Sequence, residues 1–187
     1  MGRSRRSTVT PLDQLELRKG FGHFPTGVTV VSFDKDGDPW GLTASSFVSI
    51  SLQPPLVMVS IAKAARSHRE LQGRPFTVNV LRVAQEELAR RFAGGDDGAR
   101  LSTAWVESPV GPRLHDALAH FGCVPWNHFD AGDHTLYLGQ VVLIDEQDGD
   151  ALGFYRSRFV AIPQPLPSQP ITALDPNDPY ELPYDAV

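Results

Sequence analysis

Apolar and polar positions fall in short strand-like runs along most of the chain, and helical periodicity shows in only three places. Residues 27–33 form a β-branched run, and Asp36-Gly37 follows it, which predicts a strand and a hairpin turn. Residues 40–47 supply the returning strand. Pro54 and Pro55 break the chain, and residues 56–61 and 76–81 are continuous apolar runs of the buried type. Residues 118–126, 135–144 and 153–162 complete the strands, with 135–144 a long alternating one.

The helices are inserted among these strands rather than alternating with them. Thr10 predicts a cap, Pro11 a first helical position and Asp13 a first-turn acid, and Leu12, Leu15, Lys19 and Phe21 give a rough apolar face. Residues 67–71 read as one or two helical turns. Residues 85–92 place Gln85, Leu88, Ala89 and Phe92 on one face, and Gly94 and Gly95 stop the helix. Residues 93–112 are rich in Gly, Asp and Pro and read as a loop. The expected class is mainly β: an antiparallel, closed or partly closed barrel with flanking helices, not a doubly wound sheet.

Length and charge divide the chain further. Its 187 residues suit one domain, over 11–162, between a basic arm (1–10) and a tail (163–187). The tail holds seven of the 16 prolines and reads as an extended strap, either docked through Leu174, Tyr180 and Tyr184 or free. Its four acids without a cation make −4, against +3 in the arm, so 11–162 carry −5 + 4 − 3 = −4. No apolar run reaches the ~18–20 residues of a membrane helix, and no apolar stretch follows the N-terminal arginines as a secretory signal requires. The single Cys123 makes no internal disulfide, and no Cys/His spacing points to zinc. A mildly acidic chain is a poor nucleic-acid binder. The expected setting is the cytoplasm, with neither membrane nor nucleic acid as partner.

Five places carry candidate chemistry. Thr43, Ser45, Ser46, Ser49 and Ser51 crowd small hydroxyls into one strand region, which fits a solvated face or close approach to a flat polar ligand. Lys63, Arg66 and Ser67 precede a helix start, where an anion is readily held or where serine simply caps. Asn79 interrupts an apolar strand and must be satisfied, either inside the barrel or by a ligand. Arg90 and Arg91 end a helix beside Phe92, serving its dipole or a phosphate. Asp133 and His134 stand between a Gly-Asp turn and a strand, at a barrel rim.

Taken in order, the runs at 27–31, 43–47 with 54–56, 76–81, 92–94 and 132–134 form a series. Across about residues 12–160 it resembles the flavin reductases of two-component monooxygenases, the short-chain NAD(P)H:flavin oxidoreductases. The resemblance implies a six-stranded split β-barrel that forms a homodimer and binds FMN or FAD. By that likeness Thr43, Ala44, Ser45 and Ser46 line the flavin ring and ribityl chain. Ser60, Lys63 and Ser67 lie near the ribityl and phosphate with Asn79 beside them, and Arg91 and Phe92 complete the phosphate end. His134, after Asp133, faces the nicotinamide, and the segment containing Tyr155 and Arg158 lies at the same mouth. Family members often carry Asn where this chain has Ser45, so a hydroxyl replaces a side-chain amide there.

The implied reaction moves a hydride from NADH or NADPH to flavin N5, with no protein nucleophile and no metal. No Gly-x-Gly-x-x-Gly follows a strand, so the nicotinamide donor is expected as a transient substrate without its own dinucleotide-binding domain. The reduced flavin is then expected to diffuse to a separate oxygenase. The alternatives are a split-barrel oxidase that keeps its flavin and a flavin carrier or sensor without turnover.

Overall fold

The structure, a computed structural model, describes residues 12–94 and 104–164. The basic arm, Thr10, Pro11, Gly95 and the tail beyond Gln164 lie outside these residues. Helix α1 (Gln14–Phe21) is capped by Asp13, whose carboxylate accepts from the Leu15 amide at 3.0 Å. Its cap is therefore Asp13 and not the expected Thr10; a carboxylate also suits the positive end of the helix. No residue of α1 is buried.

The first two ladders are β2 (Thr29–Lys35) with β3 (Asp38–Ala44), and β4 (Val48–Leu52) with β5 (Pro55–Ala62). Asp36 and Gly37 make the expected turn at φ of 58° and 94°. The returning strand ends at Ala44, before the expected 47, and β4 was not foreseen. Val48-Ser-Ile-Ser-Leu52 does alternate apolar and polar, but it runs on from the hydroxyl-rich stretch before it and its apolar residues are exposed rather than turned to a core. Next come the short helix α2 (His68–Leu71), strand β6 (Phe76–Val80), and a 3₁₀ turn at Val83–Gln85 leading into α3 (Glu86–Ala93).

Strand β7 (Trp105–Val106), inside the expected loop at 93–112, pairs with β8 (Arg113–Leu114) just beyond it. The long hairpin of β9 (Ala119–Ala131) and β10 (His134–Glu146) follows. Strand β9 outruns its expected end because its last residues are exposed and bond to β10 without entering the core. The expected single strand at 153–162 is a hairpin, β11 (Ala151–Tyr155) with β12 (Arg158–Ile162). Its turn uses Arg156 and Ser157 at φ of 47° and 62°, positions usually marked by Asn or Gly, which is why the sequence pattern runs straight through it.

Seven antiparallel strands form the main sheet in the order β3-β2-β6-β9-β10-β5-β4, which corrects the expected count of six. β1 (Thr26–Gly27), β11 and β12 make a second sheet. If the large sheet were flat, its edges would stand roughly 29 Å apart, six spacings of about 4.8 Å. Yet the edges β3 and β4 are consecutive in the chain, and Ala44 to Val48 spans at most about 14 Å. The sheet must therefore roll until the two edges face each other. No ladder joins them among the described residues, so the barrel stays split.

Strand β2 runs between two cores. Val31 and Phe33 join Val57, Val59, Ile61, Phe76, Val78 and Cys123 in one, while Val30 and the preceding Val28 join Leu81, Ala89, Phe92 and Leu152 in the other. The run at 56–61 is buried on one face only: Val57, Val59 and Ile61 point inward, and Met58 and Ser60 are half-buried. Among the described glycines, Gly139 leaves the least room: an added Cβ would lie 2.5 Å from the Phe76 ring and 2.7 Å from Cys123 Cβ. Gly139→Ala is expected to destabilise the fold by about 1–3 kcal/mol, read from a lower urea midpoint.

Candidate functional site

The link across the split, residues 45–47, is held by Phe47, stacked on Phe121 at 5.3 Å, and by Ser46. Ser46 Oγ accepts from the Ser60 amide and donates to the Ser60 carbonyl, both at 2.9 Å. This clasp ties the link to β5 and leaves Ser45 exposed beside a cleft of about 600 Å³. Phe21, Phe24 and Phe154 give the cleft aromatic walls, and Ser45, Thr26, Ser157, Arg18 and Arg156 supply its polar groups. Thr26 Oγ1 is buried with no hydrogen-bond partner among the described residues. Arg156 is positioned by its amide, which donates to Gly22 O at 2.9 Å, and by its Nη2, which donates to His23 Nδ1 at 3.1 Å.

A second group collects where β5 meets β10. Ala62 lies opposite His134, and the Lys63 amide donates to Asp133 O at 2.8 Å. Lys63 Nζ is 3.3 Å from Asp130 Oδ1, and His134 Nδ1 is 2.7 Å from Asp133 Oδ1. The hydrogen bond from His134, and then its charge, hold the Asp133 carboxyl below the usual carboxylate range. Ser67 is buried at the start of α2 and makes no capping bond with its side chain. Helix α2 is tied to β10 by His68 Nε2 to Thr135 Oγ1 at 2.8 Å and by Tyr137 OH donating to His68 O at 2.6 Å. Ser60, Lys63, Ser67, Asp133 and His134 thus share one end of the β5–β10 pair, joined to Ser45 through the Ser46–Ser60 clasp.

Other residues expected at a ligand are engaged elsewhere. Asn79 is fully buried: Nδ2 donates to Val30 O at 2.8 Å and to Ser32 Oγ at 2.9 Å, and Oδ1 accepts from the Leu114 amide at 2.7 Å. Of its two readings the structure takes the internal one. Thr43 Oγ1 donates to Ala89 O at 2.7 Å, fastening β3 to α3, and Ala44 is buried with its carbonyl accepting from Thr29 Oγ1. Phe92 is core, edge-on to Trp105 at 5.5 Å. Arg91 pairs with Glu87 one turn earlier at 2.6 Å.

At the mouth, Arg156 and Ser157 line the cleft, while Arg158 begins the next strand and Tyr155 lies under the Arg156 guanidinium at 5.4 Å. Arg18, Phe21, Phe24, Thr26 and Phe154 were missed as site residues, whereas Arg156 lies in the segment at 155–159 expected at the mouth. For Phe21, Phe24 and Thr26 the one signal was the cluster of aromatics around Gly and Pro at 20–27, where a helix ends.

The aromatic walls, hydroxyl edge, unpartnered Thr26 and two guanidiniums fit a flat heteroaromatic ring carrying an anionic substituent. Flavin reductase like domains match residues 21–163. The chain belongs to that family. An NADH-dependent FAD reductase of Streptomyces globisporus is 41% identical over 141 residues, which cover 72% of this chain and 77% of the relative. The reductase component of a 4-nitrophenol 4-monooxygenase/4-nitrocatechol 2-monooxygenase from Rhodococcus opacus is 35% identical over 156 residues, 83% and 84% of the two chains. The NADH:FAD oxidoreductase SgcE6 of Streptomyces globisporus C-1027, solved with NAD and FAD fragments, superposes with a TM-score of 0.75 at 38% identity. That match covers 82% of this chain and 95% of SgcE6.

Within this flavin reductase domain, Asn79→Ala is expected to strand Val30 O and the Leu114 amide. The cost is about 1–3 kcal/mol, read as a lower thermal midpoint.

Proposed function

We propose that the chain uses NADH to reduce FAD or FMN and releases the reduced flavin to a separate oxygenase. The observation that carries this reading is the cleft at the split, with its aromatic walls, exposed Ser45 and unpartnered Thr26 hydroxyl. Membership of the flavin reductase family and the named activities of the relatives support it. When bound, the flavin supplies the redox chemistry by accepting the hydride that NADH gives.

The chain's own part is positioning. Phe21, Phe24 and Phe154 flank the ring, Ser45 and Thr26 offer hydroxyls to its edge, and Ser46 and Ser60 fix the height of that edge. Lys63 and Ser67 face the phosphate. His134, held by Asp133, orients the nicotinamide, with Arg156 at the mouth beside Tyr155. Such alignment contributes up to roughly 7–11 kcal/mol to a reaction between two bound partners. Thr43, Ala44, Asn79 and Phe92 act as the frame behind these groups. Residues 11–162 serve as the catalytic domain, set in the cytoplasm, and the single thiol of Cys123 is buried and pushed up to about 12 by that burial.

The split barrel works as a homodimer. Val48, Ile50 and Leu52 on edge strand β4, Trp126 and Phe129 on β9, and Val142 and Ile144 on β10 are all exposed large apolar side chains on neighbouring strands of the sheet, the kind of surface a second copy would cover. Sedimentation velocity is expected to show a dimer, and Ile50→Asp a monomer; a monomeric parent at micromolar concentration would overturn the assembly. No helix among the described residues is long and apolar enough to cross a membrane.

The activity is tested by following NADH loss with FAD and with FMN; no flavin-dependent oxidation with either would refute it. His134→Ala is expected to raise KM for NADH about tenfold while leaving flavin affinity within twofold, and equal loss of both would remove its assigned role.

A further inference from the structure

We propose that Asp130 is an electrostatic counterweight to Lys63, weakening its attraction for the flavin phosphate so that the cofactor leaves readily. This inference rests on the reading that Lys63 faces that phosphate. The Asp130 carboxylate lies 3.3 Å from Lys63 Nζ, so the ammonium is paired before any ligand arrives. The carboxylate is also anchored. Thr135, directly opposite on β10, donates its hydroxyl to the same oxygen at 3.4 Å, and that hydroxyl contacts His68 Nε2 at 2.8 Å.

The Lys63 amide donates a hydrogen bond to Asp133 O, which holds the base of the side chain beside the turn between β9 and β10. Asp133 brings a second carboxylate to the same turn, near enough for the Lys63 charge to act on it. The ammonium is therefore paired with one carboxylate, Asp130, while Asp133 on the same turn is bonded to His134 and feels Lys63 least among its neighbours. A phosphate approaching Lys63 must displace or share Asp130, and it feels like-charge repulsion while it stays. A reductase that gives its flavin away gains from this, because differences in affinity among related complexes lie mostly in the dissociation rate.

The lysine side chain is 39% exposed and the aspartate 81%, so solvent screens the pair and the effect is modest. Riboflavin, which lacks the phosphate, separates this effect from binding of the ring. Dissociation constants for FMN and riboflavin are measured for the parent, Asp130→Asn and Lys63→Met by quenching of flavin fluorescence. Asp130→Asn is expected to tighten FMN about two- to fivefold and slow its release, with riboflavin binding unchanged. Lys63→Met is expected to weaken FMN and not riboflavin.

If Lys63→Met leaves the FMN-to-riboflavin ratio unchanged, Lys63 does not face the phosphate and the counterweight falls with that reading. If Lys63→Met raises the ratio of the FMN to the riboflavin dissociation constant while Asp130→Asn leaves FMN binding unchanged or weakens it, the placement of Lys63 stands and the counterweight is overturned. Riboflavin binding in every variant reports that the fold is intact.

Discussion

The structure depends on the short passage between β3 and β4. These strands are the two edges of a seven-stranded sheet, yet only residues 45–47 separate them in the chain. So short a tether forces the sheet to roll, and the roll brings β5 and β10 alongside the link that carries Ser45. The link is held by the Ser46–Ser60 clasp and by Phe47, which packs on the core and stacks on Phe121. An edge that is tethered but not laddered leaves room for a ligand, and the neighbouring hairpin and α1 supply the remaining walls.

Charge follows the same logic of local pairing. The chain as a whole is at −5, and the cations expected to attract a phosphate are not bare: Lys63 is with Asp130 and Arg91 with Glu87. Exposed pairs of this kind add little to stability. Their larger effect is on what an incoming anion meets. The two arginines on the cleft, Arg18 and Arg156, come from elements far apart in sequence, and Arg156 reaches it only because a two-residue turn reverses the chain there.

Much of the fold was legible because burial leaves a regular imprint. The β-branched run before Asp36-Gly37, the apolar strand at 76–81 and the alternation in β10 all follow from facing a core. The end of β9 escaped notice because it faces away from the core, β4 as a separate strand because its alternation runs on from the hydroxyl-rich stretch before it, and the β11–β12 turn because Arg and Ser occupy positions where Gly or Asn would signal it. In the candidate site, Ser45, Ser46, Lys63, Asp133 and His134 were picked out by residue type and place. Thr43 and Asn79 were picked out for the same reasons and sit behind the site, since a polar side chain in a strand looks the same whether its partner is a ligand or another strand.

The sequence by itself determined the class of fold, the family and the stock of hydroxyls, cations and aromatics from which a site is assembled. Those follow from local pattern, which needs no knowledge of what lies across the barrel. Only the tertiary structure decided which of those groups remain available. Asn79 is satisfied by an amide 35 residues away, Thr43 by a carbonyl 46 residues away, and Thr26 by nothing among the described residues. Hydrogen-bond partners in a rolled sheet are chosen by strand register and closure, and both are properties of the whole chain.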